Sequence, residues 1–228
     1  MKFDINYYFE DINKDEIFYK MIENKDEVLQ IFSEASKIID NIEDNGKQEI
    51  YTDNIQENVQ IKGNVYIGEG TKIKSGAIIQ GPVYIGKNCE IMYNAYIRPG
   101  TILGDNCTIG YCTEVKHTIM RDGSKVSDLA FVGDSIIGKN SRIGSGVIVA
   151  NRAFSQSEVV IKDENKNPVK LNREAIGVIL GDNARIGSNS TTSPGTFIGK
   201  FTWIYPHTCI HGFIPELKKV YDKQNIIM

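Results

Sequence analysis

The sequence predicts an all-β solenoid, a parallel β-helix of triangular coils with a helical N-terminal cap, an inserted loop and a short C-terminal helix. Three observations predict it. Every sixth residue from Ile55 is a branched aliphatic: Ile55, Ile61, Ile67, Ile73, Ile79, Ile85, Ile91, Ile97, Leu103, Ile109 and Val115. Four places after each stands a mostly small residue, in the series Val59, Val65, Thr71, Ala77, Val83, Cys89, Ala95, Thr101, Cys107, Thr113 and Ile119. Glycine recurs directly after the aliphatic, at Gly68, Gly86, Gly104 and Gly110. An amphipathic helix repeats at about 3.6 residues and an alternating strand at about 2. A strict period of six fits neither.

Each hexad reads as one short flat strand plus one corner. The large aliphatic fills the interior, the small residue lets the wall turn, and Gly or Asn takes corners where φ is positive. Three hexads close one coil. No coil buries a core alone, so the coils stack. The repeat slips at Arg121–Lys125, resumes at Val126 and Val132, and reaches Ile137, Ile143 and Val149 after a five-residue step. It lapses from about Arg152 to Ile179 and returns at Leu180, Ile186, Thr192, Ile198, Ile204 and Ile210. Inside the gap, SEVVIKDENKNPVKL reads as a hairpin, two β-rich runs around a polar turn. An insertion of this length in a regular solenoid points to a site or a subunit contact.

These boundaries give an N-terminal cap at 1–54, the β-helix at 55–214 with the insertion at about 152–179, and a tail at 215–228. In the cap, Asn13 and Asn24 each precede a glutamate by three places, Glu16 and Glu27, as in a capping box. Val28, Ile31, Phe32, Ala35, Ile38, Ile39 and Ile42 trace one apolar helical face. Solenoid ends expose edges and core side chains, so the cap is expected over the open end; a partner-binding helix is the alternative. PELKKVYDKQ, after Ile214, is expected to form the short terminal helix.

Charged residues make up 24% of the 228, with a formal net charge of −3, which points to neither nucleic acid nor an acidic membrane surface. No apolar run approaches the ~18 residues of a membrane helix, and MKFDINYYFE has no signal-peptide pattern. A cytoplasmic protein is expected. The cysteines Cys89, Cys107, Cys112 and Cys209 form no CxxC pair. Cys89 and Cys107 fall in the small-residue series and read as small buried hydrophobes in a reducing compartment.

Within Tyr96–Asn151, the segments IRPGT, EVK, SKV…VGDS and IGSG carry a family likeness. They resemble the acetyltransferase half of the bifunctional glucosamine-1-phosphate acetyltransferase and N-acetylglucosamine-1-phosphate uridyltransferase. The likeness to stand-alone solenoid relatives of that half is closer, since it extends to the insertion and to LGDNARIGSNSTTSPGTFIG…IYP. It implies left-handed coiling, against the usual right-handed crossover preference. It also implies a homotrimer with sites between subunits, and acyl transfer from acetyl-coenzyme A to a sugar phosphate or nucleotide sugar. The glycine-rich loop of the nucleotidyl-transfer half is not found in the sequence, so pyrophosphorylase chemistry is not expected.

By this resemblance Arg98 and Lys116 bind the sugar phosphate. A phosphate dianion suits a forked donor plus a mobile point charge, and the two are 18 residues apart, so they stack in adjacent coils. Two solvated surface cations are the plain alternative. Asn151 matches an asparagine near the acetyl and sugar groups, or serves as a corner residue. The departures fall at the family's base. Asp128 stands where the resemblance places a catalytic histidine, Phe131 where it places a tyrosine, and Arg142 where it places an asparagine. A carboxylate, with an ordinary pKa near 4, is a weaker base at pH 7 than an imidazole. His117, beside Lys116, is the alternative base. His117, His207 and His211 are too far apart in coil register to bind metal together within one subunit, unlike the three zinc-binding histidines of a γ-type carbonic anhydrase on this fold. No metal is expected. The alternative function is a non-catalytic binding protein for sugar phosphates or nucleotide sugars that has lost the catalytic histidine.

Overall fold

The computed structural model describes residues 3–155, 157–162 and 167–222. Among them the chain winds into a left-handed parallel β-helix of about nine turns. Three parallel sheets form its faces. One has nine strands, from Gln48–Ile50 to Phe213–Ile214; the others have eight each, from Gln60–Lys62 to Cys209–Ile210 and from Lys72–Ile73 to Lys219–Val220. They are called here the covered face, the Lys116 face and the Arg142 face. The hexad aliphatics stack in register up the interior, as Ile67 on Ile85 on Leu103 and Ile79 on Ile97 on Val115 on Val132. From Ile67 to Val115 they are fully buried. Each contributes about 1.5–3 kcal/mol by burial, and no single coil could collect that alone. Cys89 and Cys107 are buried among them and donate through sulfur to Gly104 O and Arg121 O. At the corners Asn58, Asn88, Asn94, Asn106, Asn140, Asn183 and Asn189 adopt positive φ.

The repeat slips earlier than the hexad series suggests. After Val115 the next interior residue is Met120, not residue 121, and after Val132 it is Ile137. Two five-residue steps therefore lie on top of each other, at His117 and Asp134. Ile119, placed by periodicity in the small inward series, instead points outward.

The N-terminal helices are present, and they cover a face rather than the open end. The outward positions of the covered face are apolar in successive coils: Tyr66, Tyr84, Ile102, Ile119, Ile136, Ile179, Phe197 and Phe213. A sheet apolar on both sides must be buried on both sides. The N-terminal segment meets that need as a strap running along the prism. Helix α1 (Ile5–Tyr8) lies on the late coils, where Phe3 meets Phe197 edge-on at 5.5 Å and Tyr7 meets Phe213 at 5.7 Å. Helix α2 (Tyr19–Ile22) follows, and α3 (Ile31–Asp44) packs its apolar face on the early coils, its Glu43 carbonyl accepting from Asn64 Nδ2. The capping box before α3 uses Glu27 and Gln30; Asn24 instead takes a left-handed turn at φ +61°. The strand Gln48–Ile50 already pairs with Val65–Ile67, so the solenoid begins before residue 55.

Midway, the strap is pinned by a fully buried Arg121. Its guanidinium donates to Asp182 at 2.6 Å and Glu16 at 2.9 Å and lies near the Phe18 ring. Lys139 Nζ reaches the other Glu16 oxygen at 2.9 Å. The insertion forms the expected hairpin, Val160–Lys162 against Pro168–Lys170, with its turn outside the described residues. Its Val159, Ile161 and Leu171 pack at Gly195 and complete the apolar layer over the covered face. The expected C-terminal helix is not formed over 215–222: Lys219–Val220 is a strand paired with Trp203–Ile204. The rest of that expected helix lies outside the described residues.

Candidate active site

The corner between the Lys116 face and the covered face repeats its construction in three successive coils. A small residue's hydroxyl closes each turn onto a carbonyl: Thr101 onto Arg98 O, Thr118 onto Lys116 O and Ser135 onto Gly133 O, each at 2.8 Å. This stacks Arg98 and Lys116 at the rim of the face, as their spacing predicts, with Arg98 N donating to Val115 O. In the two shortened corners His117 and Asp134 take φ of +45° and +51°, a conformation side-chain-bearing residues rarely adopt. Each side chain is thereby turned out of the wall at the same rim.

Asp134 is the centre of the cluster. Its carboxylate accepts from Asn151 Nδ2 at 2.5 Å, lies 3.5 Å from Lys116 Nζ, and lies 4.0 Å from His117 Nδ1. Gly133 makes room for this: a Cβ there would sit 3.0 Å from the Asn151 amide nitrogen. Gly100 likewise lets the His117 ring lie flat over the preceding coil, where a Cβ would come within 3.0 Å of it. Arg98 pairs with Glu114 at 2.6 Å. Although the His117 side chain is 59% exposed, partial desolvation against the wall lowers its pKa below the ordinary imidazole value. Asp134 opposes this, and the charges of Lys116, Arg173 and Arg98 add to it. The ring is therefore neutral near pH 7 and able to accept a proton.

Four of the predicted residues, Arg98, Lys116, His117 and Asn151, thus converge. The other three do not join them in this chain. Asp128 is exposed at the opposite corner of the same face, five positions before Gly133, the residue paired with Lys116. Its Oδ1 accepts from Tyr111 N at 2.9 Å. Asp105, Asp122 and Asp182 make the same carboxylate-to-backbone bond at other corners, so Asp128 does a structural task there. Phe131 is half-buried on the Lys116 face. Arg142 is exposed on the third face, in line with Lys125 and Arg185. Asp134, Glu114 and Arg173 were missed as site residues. Two of them stand inside segments that carry the family likeness, VGDS and EVK. Arg173 lies in the insertion, where no repeat guides the eye. His207 and His211 lie in later coils, away from His117. Among the described residues no three His, Cys, Asp or Glu side chains are grouped as metal ligands, and no helix is long and apolar enough to cross a membrane.

The class these observations define is the hexapeptide-repeat left-handed β-helix. Residues 79–176 match the family model described as GMPPB C-terminal domain, and 176–200 match that of the hexapeptide repeat of succinyl-transferase. The chain is 42% identical over 158 residues to the bifunctional sugar-1-phosphate nucleotidylyltransferase/acetyltransferase of Sulfurisphaera tokodaii, covering 69% of this chain and 39% of that protein. It is 48% identical over 174 residues to the bifunctional protein GlmU of Methanococcus maripaludis strain C7, covering 76% and 42%. The chain spans about two fifths of the length of these curated relatives. Among solved structures, LpxA from Acinetobacter baumannii overlays with a TM-score of 0.45 at 18% identity, covering 74% of this chain and 66% of that one.

Proposed function

We propose that the protein is an acyltransferase that moves an acetyl group from acetyl-coenzyme A to the amine or hydroxyl of a sugar phosphate or nucleotide sugar. The observation that carries this is the convergence of Arg98, Lys116, His117, Asp134 and Asn151 at one rim. Arg98 and Lys116 hold the acceptor's phosphate, exchanging part of their pairing with Glu114 and Asp134 for it. Neutral His117 takes the proton from the acceptor as its nitrogen or oxygen attacks the thioester carbonyl; the amide or ester forms, the C–S bond breaks, and the thiol leaves with a proton. Asp134, pinned by Asn151 and 4.0 Å from His117 Nδ1, supports the positive charge of the imidazole. The names of the relatives, which include acetyltransferase, support the same reading.

The reading includes a homotrimer. One face of the prism is covered by the chain's own strap and hairpin, so association falls to the other two. Their shared corner carries exposed Tyr93, Tyr111 and Leu129, the last 60% exposed. Three such wedges meeting on a threefold axis leave V-shaped clefts, each walled by the Arg142 face of one subunit and the Lys116 face of the next. The stacked cations Lys125, Arg142 and Arg185 suit the phosphates of a coenzyme A thioester, which supplies the activated acyl group when bound. Asp128 and Phe131 would then border the cleft from a neighbouring edge. The second reading is a non-catalytic binding protein, favoured by the structural engagement of Asp128. A thiol-release assay over amino-sugar phosphates and nucleotide amino sugars decides between them. Turnover by wild type and by Asp128→Asn, with loss of at least a hundredfold in His117→Asn, is expected. No turnover with any acceptor would leave the binding protein, and loss in Asp128→Asn alone would return the base to Asp128.

A further inference from the structure

Around the corner from Lys116, on the covered-face side, lies a cavity of about 310 Å³ between α3 and the solenoid wall. Its size is at the low end of small-molecule sites, about 300–1,000 Å³. It has room for one nucleoside, not for a whole nucleotide sugar. Its floor is apolar, with Phe32 and Ile39 from α3 facing Ile119 and Pro99. His117 and Arg173 also line it, with the carboxyl-bearing Asp40 and Glu43 of α3.

Arg173 is held in a way that fits a ligand. Its guanidinium stacks on the Phe32 ring at 4.2 Å, and its Nε donates to Ala175 O at 3.3 Å. The stem and orientation are therefore fixed. Among the described residues its terminal nitrogens, which form the fork that suits phosphate oxygens, have no hydrogen-bond partner and no salt bridge within 4.0 Å. Arg98 and Lys116, by contrast, each already face a carboxylate. Arg173 is also close enough for its charge to act on His117 and for Asp134 to act on it. Three cations thus surround the His117–Asp134 pair, two on one side of the corner and one on the other.

Resting on the acyltransferase reading above, we infer that the acceptor is a nucleoside diphosphate sugar, with Arg173 as the second phosphate ligand and the α3 cavity as the nucleoside subsite. One phosphate sits on Arg98 and Lys116 and the other on Arg173, so the diphosphate bridges the corner past His117. The sugar extends over the Lys116 face toward the donor. The nucleoside enters the cavity, its base against Phe32, Ile39 and Ile119 and its ribose hydroxyls donating to Asp40 or Glu43, the pairing carboxylates make with ribose diols elsewhere. Selection of the acceptor then belongs to α3 and the insertion, the two parts of the chain outside the hexad repeat.

The test measures Kd by calorimetry on the full chain for glucose-1-phosphate and for UDP-, GDP- and dTDP-glucose. Wild type should bind one nucleoside diphosphate glucose at least tenfold more tightly than glucose-1-phosphate. Arg173→Ala, and Arg173→Gln, which keeps the stacked stem, should remove that preference, weakening the nucleotide-linked ligand at least tenfold more than glucose-1-phosphate. Asp40→Asn combined with Glu43→Gln should weaken only the nucleotide-linked ligand. Arg98→Ala should weaken all. Equal affinity of wild type for the mono- and diphosphate ligands, or equal weakening of both by Arg173→Gln, would overturn the inference and leave the phosphate rim standing. Failure of wild type to bind any of the four would overturn both.

Discussion

At the residue scale, the site rests on two corners that are each one residue short. A hexad corner would leave residue 117 in the wall; the five-residue step at His117, repeated at Asp134, turns both side chains to the rim. The pH dependence follows from the sign of the His117 shift. Its folded pKa is depressed, so the unfolded chain binds the proton more readily, and stability rises with pH through the interval between the two values. On the proposed mechanism the same group is the base, so kcat/KM should be flat near pH 7 and fall only on the acid side of the ordinary imidazole value. An acid limb inflecting above that value would contradict the depressed His117 pKa. A second residue-scale prediction concerns Thr192. It occupies an interior hexad position between Val149 and Ile210, and its Oγ1 is buried without a partner among the described residues. An unsatisfied buried hydroxyl costs about 1–3 kcal/mol. Thr192→Val keeps the shape and should raise stability by ~1 kcal/mol, read from the denaturation midpoint. Arg98 and Lys116 were legible as a stacked pair because their spacing is one full coil. The base was not. Asp128 occupies the family's histidine position in the sequence, but its carboxylate is committed to Tyr111 N. Only the coil register reveals that His117 faces Asp134.

At the element scale, the strap and the hairpin are what the solenoid adds to itself. The need for them was written in the residue before each interior aliphatic of one face, from Tyr66 and Tyr84 through Ile102 to Ile179 and Phe197. Those residues are outward and apolar where a solvated face would be polar. Attention to the inward series alone sends the helices to the open end. Arg121 is the strap's deepest attachment, and no periodicity marks it, because its partners Glu16 and Asp182 are 105 and 61 residues away. Burial pushes the Glu16 carboxyl up, but hydrogen bonds and charge from Lys139 and Arg121 hold it below its ordinary value. Arg121→Met should leave buried Asp182 without its cation and Glu16 with Lys139 alone, and destabilise the protein by about 3–5 kcal/mol. Adding Glu16→Gln and Asp182→Asn should recover part of that loss. The check is a urea denaturation series, read with limited proteolysis between residues 10 and 30. Arg121→Met with an unchanged midpoint would mean that the apolar contacts alone hold the strap.

At the scale of the whole molecule, the fold was legible because a period of six admits one architecture. The handedness and assembly were not, since neither leaves a trace in spacing. The covered face narrows the assembly: two open faces sharing an apolar corner suit closure around a threefold axis. Sedimentation equilibrium should give about three times the 25.5 kDa chain mass, and a monomer at micromolar concentration would remove the intersubunit cleft. The central claim is that the rim of the Lys116 face is a phosphate site, and titration calorimetry with glucosamine-1-phosphate tests it most directly. Arg98→Ala and Lys116→Ala should each weaken binding by ~1.5–3 kcal/mol, the scale of a charge-assisted hydrogen bond, with the midpoint unchanged in Arg98→Ala and lowered in Lys116→Ala, which takes a cation from buried Asp134. Binding of glucosamine-1-phosphate to both variants as tightly as to wild type would contradict the account.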